Sequence, residues 1–239
     1  MIQTRIMKML VDSSILNLFL YFAQHTCIMH NVNFLSEVIN VLQLPEFQKL
    51  REIGGHKIYH LEGDAYTHTM LVMLQAIKLF GIDSPMVLVA LLHDVGKIYT
   101  SVCHGPGDWS YPNHAKAGAE NLDKFLPVSH PEFFKVQWYI ANHIKPLFWR
   151  GKDLGEAIFN MHVPEGCSIV TLVELAICDI LGSKSLEPQD ELLNFLQDFV
   201  SSRKEALGIA AQYGLQDEVL KQLNHGDTPA EALKEWDLL

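Results

Sequence analysis

An all-α fold is predicted for this sequence on three grounds. Apolar residues recur mostly at helical spacing, alternating period-two runs bounded by turns are scarce, and several helix starts carry capping signals. In chain order the predicted helices are 12–24, 33–43, 45–53, 64–80, 84–97, 113–126, 130–144, 151–160, 167–183, 188–212, 214–223 and 228–236. Ser84 before Pro85 pairs a capping residue with a proline at the first helical position. The segment it opens, MVLVALLHDVGK, has almost no charge before Asp94, so this helix should be central. Ser129 with Glu132, and Thr228 with Glu231, read as capping boxes with a proline in each first turn. Residues 103–113 carry Gly, Pro, Asp and Ser and read as a loop near the end of the central helix. No repeat, low-complexity tract or long Gly/Ser linker divides the chain, so one globular helical bundle over 1–239 is expected. Residues 186–239 form its C-terminal helical extension, which buttresses the core or a partner subunit in a homo-oligomer.

A chain of 239 residues with 49% hydrophobic positions can bury one sizeable core. Its formal charge of −10 repels a long polyanion, so no long nucleic-acid partner is expected. A small phosphorylated substrate stays compatible, because a carboxylate-rich pocket becomes locally positive once it holds a divalent metal. Cys27, Cys103, Cys167 and Cys178 form no CxxC pair and no dense framework, which favours a reducing cytoplasm over a disulfide scaffold or zinc ribbon. Arg5 and Lys8 precede an apolar stretch at 15–22, but Asp12 and Gln24 interrupt it and no small-residue cleavage site follows. No run reaches the roughly 18 apolar residues of a membrane span, so no membrane partner is expected.

Six residues stand out as potential metal ligands: His68, His93, Asp94, His114, His143 and Asp179. Each is a His or Asp set in, or at the end of, an otherwise apolar helical segment. In LLHDVGK the His-Asp doublet follows apolar residues, and a buried, unpaired carboxylate is expensive. A divalent cation removes that cost for several groups at once. Mixed imidazole and carboxylate donors suit iron, manganese, zinc, cobalt or nickel, with magnesium as a further candidate. Neighbouring residues on a helix point about 100° apart, so His93 and Asp94 can share an ion only near the helix end, with His68 and Asp179 completing the shell. Asp94 could then bridge to a second ion held mainly by His114 and His143.

The order His68, His93-Asp94, Asp179 resembles the His-Asp (HD) domain superfamily of metal-dependent phosphohydrolases. HDVGK is similar to that family's central motif. YPNHAKAGAE, ANHIKP and ELAICDILGS resemble the segments that supply its further histidines and last aspartate, and together these matches span 62–183. EGDAYTHTMLVM followed by ALLHDVGK resembles more narrowly the HD domain of bacterial CCA-adding tRNA nucleotidyltransferases, a phosphodiesterase and phosphatase in that setting. Nothing before residue 62 offers a Gly-Ser loop with paired carboxylates, so a free-standing hydrolase is expected. EFQKLREI resembles the segment before the first His in HD nucleotide triphosphohydrolases, which keeps nucleotide polyphosphates among the substrates.

The resemblance implies attack of metal-activated water on a phosphoester of a small, nucleotide-type substrate, with one or two divalent ions. Asp94 and Lys97 are the expected catalytic residues, and Lys97, Lys145 and Arg150 the expected phosphate contacts, with Trp149 available to a base. For Asp64 two readings stand: a partner that orients His68, or an N-terminal helix cap. His56, His60 and His104 fall in polar loops without a motif partner and are left outside the site. A metal-stabilised, nucleotide-sensing regulatory domain without turnover is the alternative of another class.

Overall fold

The computed structural model describes residues 32–239, so the helix expected at 12–24 lies outside the described residues. The chain enters through α1 (Val32–Gln43) and α2 (Pro45–Gln48), which runs into a 3₁₀ turn at Lys49–Glu52. Three helices then build the centre: α3 (Ala65–Phe80), α4 (Pro85–Leu92) and, later in the chain, α9 (Ile169–Gly182). Between them lie α5 (Lys97–Thr100), strands β1 (Val102–Gly105) and β2 (Asp108–Ser110), α6 (His114–Glu120), α7 (Phe133–Asn142) and α8 (Leu154–Phe159). The C-terminal part is α10 (Asp190–Gln212), α11 (Gln216–His225) and α12 (Pro229–Lys234). Among the described residues the fold is therefore all-α apart from one small hairpin.

Local chemistry sets the central helices. The Asp64 carboxylate accepts the Thr67 amide at 2.6 Å and so starts α3, which ends at Gly81 with φ of 85°. Ser84 accepts the Met86 amide at 3.3 Å, and Pro85 occupies the first position of α4. Every residue of α4 after Pro85 is buried, because α3 covers one side and α7 another. Fully burying a leucine such as Leu88, Leu91 or Leu92 stabilises the fold by about 1.5–3 kcal/mol. α9 lies against α3 and is covered in turn by α10.

Two glycines set close approaches. A Cβ at Gly182 would stand 2.8 Å from the Val72 backbone nitrogen, so the end of α9 rests directly on the middle of α3. A Cβ at Gly96 would overlap the His114 carbonyl oxygen and the Gly118 nitrogen. Only a glycine lets the turn after the His-Asp doublet lie flush on the start of α6.

The C-terminal helices carry a small core of their own, built from Ala210, Val219, Leu223 and Ala232. Asn224 fastens them to the centre. Its side-chain oxygen accepts the Ile169 amide at 3.0 Å while its Nδ2 donates to the Cys167 carbonyl at 3.2 Å. The Thr228 capping box forms as predicted, with Thr228 and Glu231 satisfying each other's backbone amides.

Three sequence expectations are corrected. The helix expected at 84–97 stops at Leu92, turns through His93 to Gly96, and resumes as α5, because the chain must present His93 and Asp94 from a helix end. Residues 103–113 are not all loop: β1 pairs antiparallel with β2 through Val102 with Ser110 and Cys103 with Trp109. Strands of four and three residues are too short to show a period-two signal. Ser129 and Glu132 form no capping box; α7 begins at Phe133, and the His130 ring accepts the Glu132 amide at 3.2 Å instead. Among the described residues no helix is long and apolar enough to cross a membrane.

Two stability predictions follow from these contacts. Gly96→Ala, which drives a methyl into the α6 backbone, should cost about 1–3 kcal/mol in chemical denaturation. Thr228→Ala should cost only about 1 kcal/mol, the ordinary value of a lost N-cap.

Candidate metal centre

The structure brings His68, His93, Asp94, His114, His143 and Asp179 into one cluster. Most of them stand at helix ends: His93 closes α4, His143 closes α7, His114 opens α6, and Asp179 lies in the last turn of α9. Carbonyls of a last turn lack helical partners, and two imidazoles use them. His93 Nδ1 lies 2.7 Å from the Ala90 carbonyl and His143 Nδ1 2.7 Å from the Ile140 carbonyl. His114 Nδ1 makes the equivalent contact with the Tyr111 carbonyl at 2.9 Å. A backbone carbonyl only accepts, so each Nδ1 carries the hydrogen and each Nε2 turns inward with a bare lone pair.

Those lone pairs meet carboxylates. Oδ2 of Asp94 lies 3.4 Å from His68 Nε2 and 3.4 Å from His93 Nε2. Its other oxygen, Oδ1, lies 3.4 Å from His114 Nε2 and 3.8 Å from His143 Nε2. Asp179 Oδ1 lies 3.0 Å from His68 Nε2 and 4.0 Å from His93 Nε2. Two imidazole acceptors, His114 Nε2 and His143 Nε2, face each other at 3.3 Å. One carboxylate thus serves two separate pairs of histidines, and the buried His93 Nε2 lacks a hydrogen-bond partner. Acceptors packed against acceptors are the donor set of a cation site, and the groups His68-His93-Asp179 and His93-Asp94-His143 are each compact enough to hold a metal ion.

Electrostatics agree with that reading. Burial works against charge on Asp94, yet Lys97 and the neighbouring imidazoles hold its pKa well below the usual carboxylate range. Burial likewise opposes charge on Asp179, and His68 overcomes it to lower the pKa. For His68, burial disfavours protonation, but Asp179 and Glu62 outweigh it and raise the pKa to about 9. Burial, and then the neighbouring His93 and His114 rings, push His143 down to about 3. Burial also lowers His114. Counting Glu62, Asp94 and Asp179 against Lys97 and the His68 imidazolium leaves one uncompensated negative charge. Exchanging that proton for a divalent ion brings the count to neutral.

Lys97 is itself buried, with Nζ 2.6 Å from Asp94 Oδ2 and 4.4 Å from the Tyr111 ring centroid. Lys145 is exposed, although partial burial lowers its pKa. Arg150 is also exposed and pairs with Glu191 on α10. Trp149 lies in the core against Phe199, at 5.7 Å between ring centroids, and offers no face to a base. Asp64 is the cap of α3. The most open parts of the site are Asp179, His114 and His60, whose side chains keep 14%, 15% and 21% of their exposure, so the cluster is reached from their side.

Two residues escape the sequence reading. Glu62, whose side chain is fully buried, brings Oε1 to 2.8 Å from His68 Nδ1, a short contact off the N–H axis. The same oxygen is 3.0 Å from His60 Nδ1, and the His60 ring crosses the His68 ring at 4.5 Å. The His60 and His68 rings beside it overcome burial and hold Glu62 down at about 2. A signal for Glu62 exists in retrospect. His68 stands inside α3, where its own amide already uses the Asp64 carbonyl, so its ring had to find an acceptor outside the helix.

Comparison with known proteins gives limited company to this geometry. No protein-family model matches the chain, and no solved structure matches it. A segment of 57 residues, 24% of this chain, is 44% identical to the multifunctional CCA protein of Alkalilimnicola ehrlichii, of which the match covers 14%. The chain is thus similar to a small part of that protein and carries a His/Asp cluster that can hold a metal ion.

Proposed function

We propose that the chain is a metal-dependent phosphohydrolase of the HD type, acting on a phosphoester of a small nucleotide. The observation that carries the reading is the Asp94 carboxylate, with one oxygen facing His68 and His93 and the other facing His114 and His143. In this reading His68, His93, Asp94 and Asp179 hold one divalent ion, and Asp94, His114 and His143 hold a second. Such ions, when bound, supply Lewis acidity toward a phosphoryl oxygen and lower the pKa of water. The charge count favours two ions during turnover: one neutralises the protein groups, and a second leaves positive charge to match a phosphate dianion.

The protein's own groups do the positioning. The carbonyls of Ala90, Tyr111 and Ile140 fix the imidazole tautomers, so the Nε2 lone pairs are aimed before any ligand arrives. Lys97 pins Asp94 Oδ2 and adds positive charge where phosphoryl oxygens would gather. Substrate enters past Asp179, His114 and His60. Arg150, drawn to Glu191, takes no part, while Lys145 is left as an outer phosphate contact. The match to part of a CCA protein supports a nucleotide-related substrate. The free cysteines among the described residues, Cys103, Cys167 and Cys178, suit a reducing cytoplasm.

The test is a hydrolysis screen with manganese, iron, cobalt or nickel over cyclic nucleotides, nucleoside monophosphates and nucleoside triphosphates. Asp94→Ala should lose metal, measured by elemental analysis, and lower kcat/KM by about a thousandfold or more. A variant that keeps full activity would overturn the assignment. Lys97→Met should lower kcat by about ten- to a hundredfold. Arg150→Ala should leave kcat/KM within about twofold, as expected of an exposed ion pair. A nucleotide that binds tightly and survives incubation with every metal would point instead to a sensing domain.

A further inference from the structure

We infer that Glu62 is a positioning residue that sets the gap between His68 and Asp179; the inference rests on the metal reading above. Its carboxylate touches both sides of the site. Oε1 meets His68 Nδ1 at 2.8 Å and His60 Nδ1 at 3.0 Å, while Oε2 accepts the Lys184 amide at 2.9 Å. Lys184 lies just past Ser183, the C-cap of α9, the helix that carries Asp179. The Leu61 amide donates to the Lys184 carbonyl at 2.9 Å and the Leu186 amide to the Ile58 carbonyl at 2.8 Å, so the two backbone segments run paired beside the site.

This arrangement differs from that of the other histidines. His93, His114 and His143 are each oriented by a carbonyl three residues back in their own segment. His68 is oriented by a group that also holds the chain leaving α9. A shift of either segment would move His68 Nε2 against Asp179 Oδ1, now 3.0 Å apart. His60, Glu62 and His68 also form a compact group of metal-ligand type. Both Glu62 oxygens, however, are already engaged by ring nitrogens and a backbone amide, and the role that fits is orientation rather than ligation.

The test compares Glu62→Gln with Asp64→Ala, which removes the cap of the same helix without touching His68. Metal-free protein is titrated with cobalt(II), followed by its visible absorption, and the His68 ring nitrogens are read by NMR. Glu62→Gln should weaken cobalt binding about ten- to a hundredfold and alter the His68 Nδ1 signal. Asp64→Ala should lower thermal stability yet keep the cobalt affinity of the unaltered protein. Should Glu62→Gln fail to fold, Glu62→Asp, which keeps the charge but cannot span both contacts, carries the same comparison. Unchanged cobalt affinity in the Glu62 variants would overturn the inference and leave the metal reading intact. Equal losses in the Glu62 and Asp64 variants would reduce Glu62 to a structural part and overturn it as well. Failure of the unaltered protein to take up cobalt would overturn both.

Discussion

Imidazole lone pairs and carboxylate oxygens cannot crowd together away from water unless positive charge lies among them. The centre of this molecule is built around that constraint. Asp94 is 2% exposed and has four histidines around its two oxygens. Lys97 answers part of the demand, and a proton on His68 answers more. The arrangement of α3, α4, α6, α7 and α9 makes sense as the scaffold that delivers those acceptors to one place. A purely structural core would have filled the same volume with aliphatic side chains at lower cost.

The helix termini do much of that work. An imidazole at the end of a helix can donate backward to a carbonyl that the helix leaves unused, and its other nitrogen is then aimed forward without further help. His68, set inside α3, lacks that option and depends on Glu62. Gly96 belongs to the same economy of space, since the turn after His93 and Asp94 reaches His114 only because no side chain intervenes. Rotamers fixed in advance reduce the ordering cost of taking up a ligand.

Much of the cluster was legible in the sequence because its members break apolar helical runs. A histidine in LLHDVGK or ANHIKP has no bland reason to follow buried aliphatic residues, and the structure brings both histidines to Asp94. Glu62 and His60 stood in a polar loop, where period and burial carry no signal, and their contacts to His68 span chain that only the folded state brings together. Trp149 shows the opposite error. Nearness in sequence to His143 suggested a shared role, but the short 3₁₀ turn at Lys145–Phe148 sends Trp149 into the core and Arg150 toward α10. The β hairpin was hidden by its brevity, and the start of α7 by a histidine ring that replaced the expected cap.

Asn224 gives the C-terminal helices a role beyond bulk. Its side chain fills two backbone vacancies at the N-terminal approach to α9, and the far end of that same rod bears Asp179. The anchorage of the rod is therefore written in α11, well after its own sequence is complete. On a ribosome α9 would emerge with its lower end unfastened. Only when α11 has been made does the start of the helix acquire these two hydrogen bonds, so a later stretch of the polypeptide completes the frame on which the first histidine and the last aspartate meet.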